Sequence, residues 1–258
     1  LIGAACGDAL TIGNNNVAVG FNALTADDVG SSSVAIGVSA LESQNSPGSG
    51  ANNMFNTAVG GNAGASIVAG HSNTLIGGNA GSAITSGVNN LALGKDALIS
   101  GSPGGPANTD SNVAGLGDEN IASLHCQVSL TVSSDQRDKT DFVDLDLGLD
   151  FVKALEPVTY YWDKRAKYLN KHNEDGTLNT DYDLNSATPD GTHKENWMDV
   201  GFKAQAVQAL EEAAGYKVAD KKNLTVAINS DGKQYGLKYE KFIPILVKAM
   251  QEQSALIT

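Results

Sequence analysis

Basic residues are nearly absent from the first half of this chain. Residues 1–134 hold one lysine, Lys95, and no arginine; the other 16 of the 17 basic residues fall in 135–258. Aromatics are as scarce there, with Phe21 and Phe55 alone, while every Trp and Tyr lies beyond 134. Cysteine is represented by Cys6 and Cys126, far apart and without a CxxC, which excludes a disulfide framework and a zinc-finger spacing. The histidines, His71, His125, His172 and His193, are scattered, so neither a metal nor another cofactor is expected. No apolar run approaches the ~18 residues of a membrane span, and no basic-then-apolar leader opens the chain, so membrane insertion is not expected. A net charge of −12 argues against a nucleic-acid surface. The chain begins at Leu1 rather than Met, and it is expected to be a piece of a longer protein.

What the first half does have is glycine, 22 of the 29, in a repeat. The pattern apolar-Gly-x-x-Ala recurs as AVGFNAL, AIGVSAL, AVGGNAG, LIGGNAG and ALGKDAL, anchored on Gly20, Gly37, Gly60, Gly77 and Gly94 with spacings of 17, 23, 17 and 17. The frame extends back to Gly3 and forward to Gly117. A second glycine recurs seven places before an anchor, at Gly13, Gly30, Gly70 and Gly87, usually followed by Asn or Ser. Such a period reads as stacked coils. Each unit is expected to supply two short alternating strands and two glycine corners, with small apolar residues inward. One coil cannot bury its own face, so neighbours must share a core. The six extra residues of a 23-residue step belong on a surface loop, as at 46–50. A disordered Gly/Ser/Asn linker would not keep Ile, Val or Leu before every anchor, and a calcium-binding roll would need GGxGxD.

Composition changes sharply at SSDQRDKTD, which predicts a boundary between domains 1–134 and 135–258. The preceding QVSLTVS alternates and reads as a strand. After the junction, Leu149, Val152 and Leu155 fit a helical face that Pro157 ends. Val158–Trp162 reads as a strand, and 163–198 as an irregular polar excursion. MDVGFKAQAVQALEEAAGY predicts a strand running into a helix closed by Gly215. Residues 224–239 predict a hairpin turning at Asp231-Gly232. The end predicts a helix with Phe242, Ile245, Leu246, Ala249 and Met250 on one stripe, suited to pairing with other chains. The Trp and Tyr side chains read as core.

The coil repeats resemble the heads of trimeric adhesins and of phage tail fibres, which implies left-handed parallel β-rolls built from three chains. The second half resembles the peptidase S74 family, the intramolecular chaperone at the C-terminus of phage tail fibres, tailspikes and endosialidases. Four blocks carry the likeness between Gln127 and about Gln253: SDQRDK, LEPVTYYWD, VGFKAQAV and KYEKFIPILVKAMQE. Ala206 stands where the family commonly has Glu. The resemblance implies a single-turnover serine endopeptidase that trimerises, templates the fibre and cuts itself between Ser134 and Asp135. The family's serine–lysine dyad maps onto Ser134 and Lys139.

The residue types suit that chemistry. A serine hydroxyl needs a base, and a lysine serves as one only when burial or a neighbouring positive charge lowers its pKa. Arg137 is a candidate for supplying that charge or holding a developing oxyanion, and Gln205 is a second supporting candidate. Asp135 either orients Lys139 or simply becomes the new N-terminus. Ser134 attacking its own carbonyl would close a four-membered ring. Attack on the preceding carbonyl would cut before Ser134. A cut after it needs a serine of a neighbouring chain or an activated water, and sequence leaves these routes open. The bland alternative is that SSDQRDK merely caps a helix.

The expected fold is therefore an N-terminal all-β repetitive parallel β-roll, trimeric, followed by an α+β chaperone domain ending in a long helix. The expected protein is a tail-fibre fragment of a virion, a homotrimer that meets a host cell-surface receptor, a polysaccharide among the candidates. Its chaperone domain would be released in the host cytoplasm during assembly. The rival is a trimeric bacterial adhesin head with a non-cleaving trimerisation domain. A polysaccharide-cleaving tailspike would want acidic and aromatic clusters that the coils lack.

Overall fold

The computed structural model describes residues 1–50 and 52–257. They fall into two compact units: Leu1–Ile121 with 163–193 and 229–234, and Ala122–Trp162 with 194–228 and 235–258. The spatial division is thus not a single cut in sequence, because two segments from beyond residue 134 are compact with the coils.

The first unit is built on coils in strict register. Strands β1 (Val17–Val19), β3 (Val34–Ile36), β5 (Thr57–Val59), β6 (Thr74–Ile76), β7 (Leu91–Leu93) and β8 (Ala114–Leu116) form one six-stranded parallel sheet. Ala18, Ala35, Ala58, Leu75, Ala92 and Gly115 are successive partners across it. The alanines and Leu75 are fully buried, joined by Ala23, Ala40, Ala63, Ala80 and Ala97 from the following corner. The interior is thin because its side chains are small. The anchoring glycines explain the tightness: Gly77 has φ +135, and a Cβ there would lie 2.5 Å from the Gly94 carbonyl.

Where two strands per coil were expected, one suffices. A second parallel pair, β2 (Gly30–Ser31) with β4 (Asn52–Asn53), forms at a single step. Elsewhere a buried asparagine ladder does the stitching. Asn73 N–H donates to Asn56 Oδ1 at 3.0 Å, Asn90 N–H to Asn73 Oδ1 at 2.9 Å, and Val113 N–H to Asn90 Oδ1 at 2.9 Å. Each side-chain amide then reaches a glycine or aspartate carbonyl, as Asn73 does to Gly87 at 3.0 Å. Side-chain amides thereby satisfy backbone groups that a second strand would have paired.

The two insertions behave differently. Residues 47–50 lie exposed, as expected of a surface loop, but Gly101, Ser102 and Gly105–Ala107 are buried. Tyr182 packs on Gly101 and Asn229 on Gly105, which is why the second insertion is not a free loop.

The second unit is α+β. Helix α1 (Leu149–Ala154) leads to β9 (Val158–Tyr160), which pairs antiparallel with β10 (Asp199–Gly201). Helix α2 (Ala204–Ala213) follows β10, and its C-terminus carries Gly215 at φ +92. Strands β11 (Val226–Ile228) and β12 (Tyr235–Leu237) form the expected hairpin, and α3 (Phe242–Ile257) closes the chain. Leu147, Phe151, Val207, Val226, Phe242 and Ile245 make its core. Two carboxylates tie these elements. Buried Glu211 accepts from Thr225 N–H at 2.7 Å, and Glu252 accepts from Leu149 N–H at 2.7 Å at the start of α1. A Cβ on Gly148 would crowd that Glu252 carboxylate, so a larger residue before α1 would displace the Glu252 side chain from Leu149.

Three expectations need correction. QVSLTVS is not a strand; it is an exposed strap, because no described segment offers its backbone a partner. The α3 stripe expected to pair with other chains is divided: Phe242, Ile245 and Ala249 are buried in the chain's own fold, while Leu246 and Met250 face outward with Ile243 and Val247. Trp197, 60% exposed, and Trp162 are surface side chains, not core.

Candidate active site

The strap from Ala122 to Asp144 is exposed nearly throughout and belongs wholly to the second unit. Its one regular feature is a 3₁₀ turn at Gln136–Asp138. Asp135 caps it, accepting from Arg137 N–H at 2.9 Å. The alternative reading of SSDQRDK as a cap is met in part: Asp135 caps a 3₁₀ turn rather than an α-helix. The turn also does something a cap alone would not. It folds the chain back so that Lys139, five residues on, reaches Ser134.

Lys139 Nζ donates to Ser134 Oγ at 2.6 Å and to the Ser134 carbonyl oxygen at 3.2 Å. That carbonyl belongs to the Ser134–Asp135 peptide bond. One ammonium thus touches both the candidate hydroxyl and the oxygen that would gain charge if that bond were attacked. Both residues are exposed, so nothing in a single chain desolvates the amine.

Arg137 is turned away from this bond. Its guanidinium is held on Asp135, with Nη2 to Oδ2 at 2.6 Å and Nε to Oδ1 at 3.1 Å. These hydrogen bonds hold the Asp135 carboxyl below its ordinary range. Arg137 accordingly orders the residue after the bond rather than contacting its carbonyl, and Asp135 pairs with Arg137 rather than orienting Lys139. Gln205 is not brought to the site. It is exposed on the first turn of α2, whose buried face is set by Val207, and no described hydrogen bond joins it to Ser134 or Lys139.

Two positioning residues escape sequence reading. Glu211 and Glu252 carry no motif; only their placement opposite the backbone N–H groups of Thr225 and Leu149 reveals them. Among the described residues no group of three His, Cys, Asp or Glu side chains is placed to hold a metal ion.

Residues 134–216 match the family model described as chaperone of endosialidase, peptidase S74. Within the C-terminal half, residues 134–216 thus carry the likeness to the S74 chaperone domain. The match begins at Ser134, the residue under Lys139, and runs through β9, β10 and α2. The hairpin and α3 lie beyond it, as do the coils. No curated protein and no solved structure matches the chain.

Proposed function

We propose that this chain is part of a phage tail fibre whose S74 domain assembles three copies, sets the register of the coils and then cuts the chain between Ser134 and Asp135. The observation that carries the reading is the Lys139–Ser134 pair at the first residue of the S74 match.

Three exposed apolar features support assembly as a trimer. In the strap, Val128, Leu130 and Val132 alternate and are 75%, 79% and 74% exposed, a strand pattern without a partner among the described residues. On α3, Ile243, Leu246, Val247 and Met250 form a second uncovered face. Along the six-stranded sheet, Ile36, Ile76 and Leu116 point outward in line. Neighbouring copies would cover all three. Pairing of the strap would also bury the dyad, which supplies the desolvation that a lysine base needs.

The chemistry follows from the ring-size constraint. Ser134 Oγ cannot attack its own carbonyl carbon, which leaves a neighbouring chain's serine or water; because Lys139 touches the Oγ and the carbonyl of the same Ser134, water is taken as the nucleophile. Its oxygen bonds to the Ser134 carbonyl carbon while a proton passes through Ser134 Oγ to neutral Lys139. The ammonium then stabilises the oxyanion and returns the proton to the Asp135 nitrogen as the C–N bond breaks. The products are a carboxylic acid on Ser134 and an amine on Asp135, which become carboxylate and ammonium when that acid's proton passes to the amine. Cutting after assembly leaves coils whose long-range pairing has no template for unfolding and refolding, so the fibre is kinetically trapped. The coil surface then serves host attachment.

Intact-mass spectrometry of freshly made protein tests this, beside Ser134→Ala and Lys139→Ala. Fragments ending at Ser134 and beginning at Asp135, from the parent alone, are expected. A cut before Ser134 would replace water attack by an acyl shift. An uncut parent would leave a non-cleaving trimerisation domain, as on an adhesin head.

A further inference from the structure

The coils are compact with residues 163–193 and 229–234, which lie on the far side of the Ser134–Asp135 bond. Residues 1–134 carry eight acidic side chains and one lysine. The excursion opens with a basic run, Lys164, Arg165, Lys167, Lys171 and His172. The two meet at the last coils. Lys171, 8% exposed, pairs with the Glu119 carboxylate. His172 Nε2 lies 2.9 Å from Asp96, a buried carboxylate that also holds Lys95 at 2.8 Å and Asn79 at 3.1 Å. Lys164 Nζ donates to the Glu119 carbonyl at 3.2 Å.

The turn at 229–234 adds neutral contacts. Ser230 Oγ donates to the Pro106 carbonyl at 2.7 Å, and Asn229 packs on Gly105. Tyr182 fits over Gly101, which has φ +85 and where a Cβ would fall 2.2 Å from the phenol oxygen. Tyr182 over Gly101 and Asn229 on Gly105 together account for two glycines of the insertion. The segments also brace each other, through Lys233–Asp183 at 2.9 Å and Arg165 donating to the Lys233 carbonyl.

From this we infer that the end of the coil stack, Asp96, Gly101, Gly105–Pro106 and Glu119, is a docking surface for 163–193 and 229–234 of the same chain, and that cleavage after Ser134 does not by itself free the S74 domain. The inference rests on the proposed cut. Release is then a second step, in which the partly buried Lys171–Glu119 and His172–Asp96 pairs must separate. Leaving such groups unpaired is destabilising, and differences between related interfaces fall mainly on dissociation. The coil end would stay covered until the fibre is finished.

The test uses the full chain with an N-terminal affinity tag, in two backgrounds: the parent, and Ser134→Ala with a specific protease site inserted in the exposed strap at 127–133. After cutting, tagged coils are captured and the C-terminal fragment is followed over time. Retention in both backgrounds is expected, with dissociation at least about tenfold faster in Lys171→Ala/His172→Ala. Circular dichroism of the uncut double variant checks that it folds; if it does not, urea titration of the cut parent replaces it, and release below the coil unfolding midpoint is expected. Immediate loss from the cut parent, or equal retention in the double variant, overturns the inference. An uncut parent would sink the cleavage reading alone, since the protease-cut background still reports on docking.

Discussion

Lys139 Nζ touches two oxygens of a single residue, Ser134 Oγ at 2.6 Å and the Ser134 carbonyl at 3.2 Å. The first contact suits a base and the second suits a polarising cation, and the two roles respond differently to arginine. Arg keeps the charge but does not give up its proton. If Lys139 moves a proton, Lys139→Arg should cut at least ~100-fold more slowly, the lower end of what a positioned acid–base group contributes. Quantifying fragments against time by mass spectrometry checks this. Near-parental cutting would leave only the polarising role.

The anchoring glycines make a prediction about the coils. Gly77→Ala puts a methyl 2.5 Å from the Gly94 carbonyl on a backbone at φ +135. The conformation alone costs roughly 1–3 kcal/mol, and the close approach adds to it. At a few degrees per kcal/mol, the coils should melt several degrees lower. Gly78→Ala is the control, since a Cβ there meets nothing within 4 Å. Equal losses at the two positions would contradict the account of the anchors.

These glycines show what was legible in the sequence. Gly20, Gly37, Gly60, Gly77 and Gly94 sit in register because the chain repeats, and a repeat announces its own pairing. The Ser134–Lys139 pair was legible only through the S74 resemblance; the structure closes it locally, across five residues and one tight turn. What was not legible depends on partners remote in sequence. Val128, Leu130 and Val132 alternate like a strand, but a strand needs a neighbour, and one chain has none to offer. Arg137 had two charged options nearby, and only coordinates show it on Asp135. Gln205 was carried by its block, yet its helix faces elsewhere. The docking of 163–193 had no period to reveal it, being held by single side chains such as His172 and Lys171.

The uncovered face of α3 predicts the oligomeric state. Leu246→Glu and Met250→Glu place charges on residues that are exposed in one chain, so each fold should survive. If that face joins three copies, burying a carboxylate there is prohibitive. Light scattering at micromolar concentration should show trimers for the parent and smaller species for the double variant, with unchanged helical circular dichroism. A monomeric parent would remove trimerisation from the proposal.

Asp96 predicts how the first unit responds to acid. Burial alone would raise its carboxyl, but hydrogen bonds from Lys95, His172 and Asn79 outweigh that and hold it below its ordinary value of 3.8. A carboxyl with a depressed pKa in the folded state stabilises the fold fully above the unfolded value of about 3.9. That contribution is lost as pH falls through the lower, folded value. Asp96→Asn should therefore melt below the parent at pH 6, where the charge still holds Lys95 and His172. Toward pH 3 the gap should narrow, because the variant has no such carboxyl to protonate. Thermal melts at half-unit steps from pH 6 to 3 measure both slopes, and parallel curves would show that Asp96 does not carry the acid sensitivity. The other exposed carboxylates held low, such as Asp135, titrate alike in both proteins and cancel in the comparison.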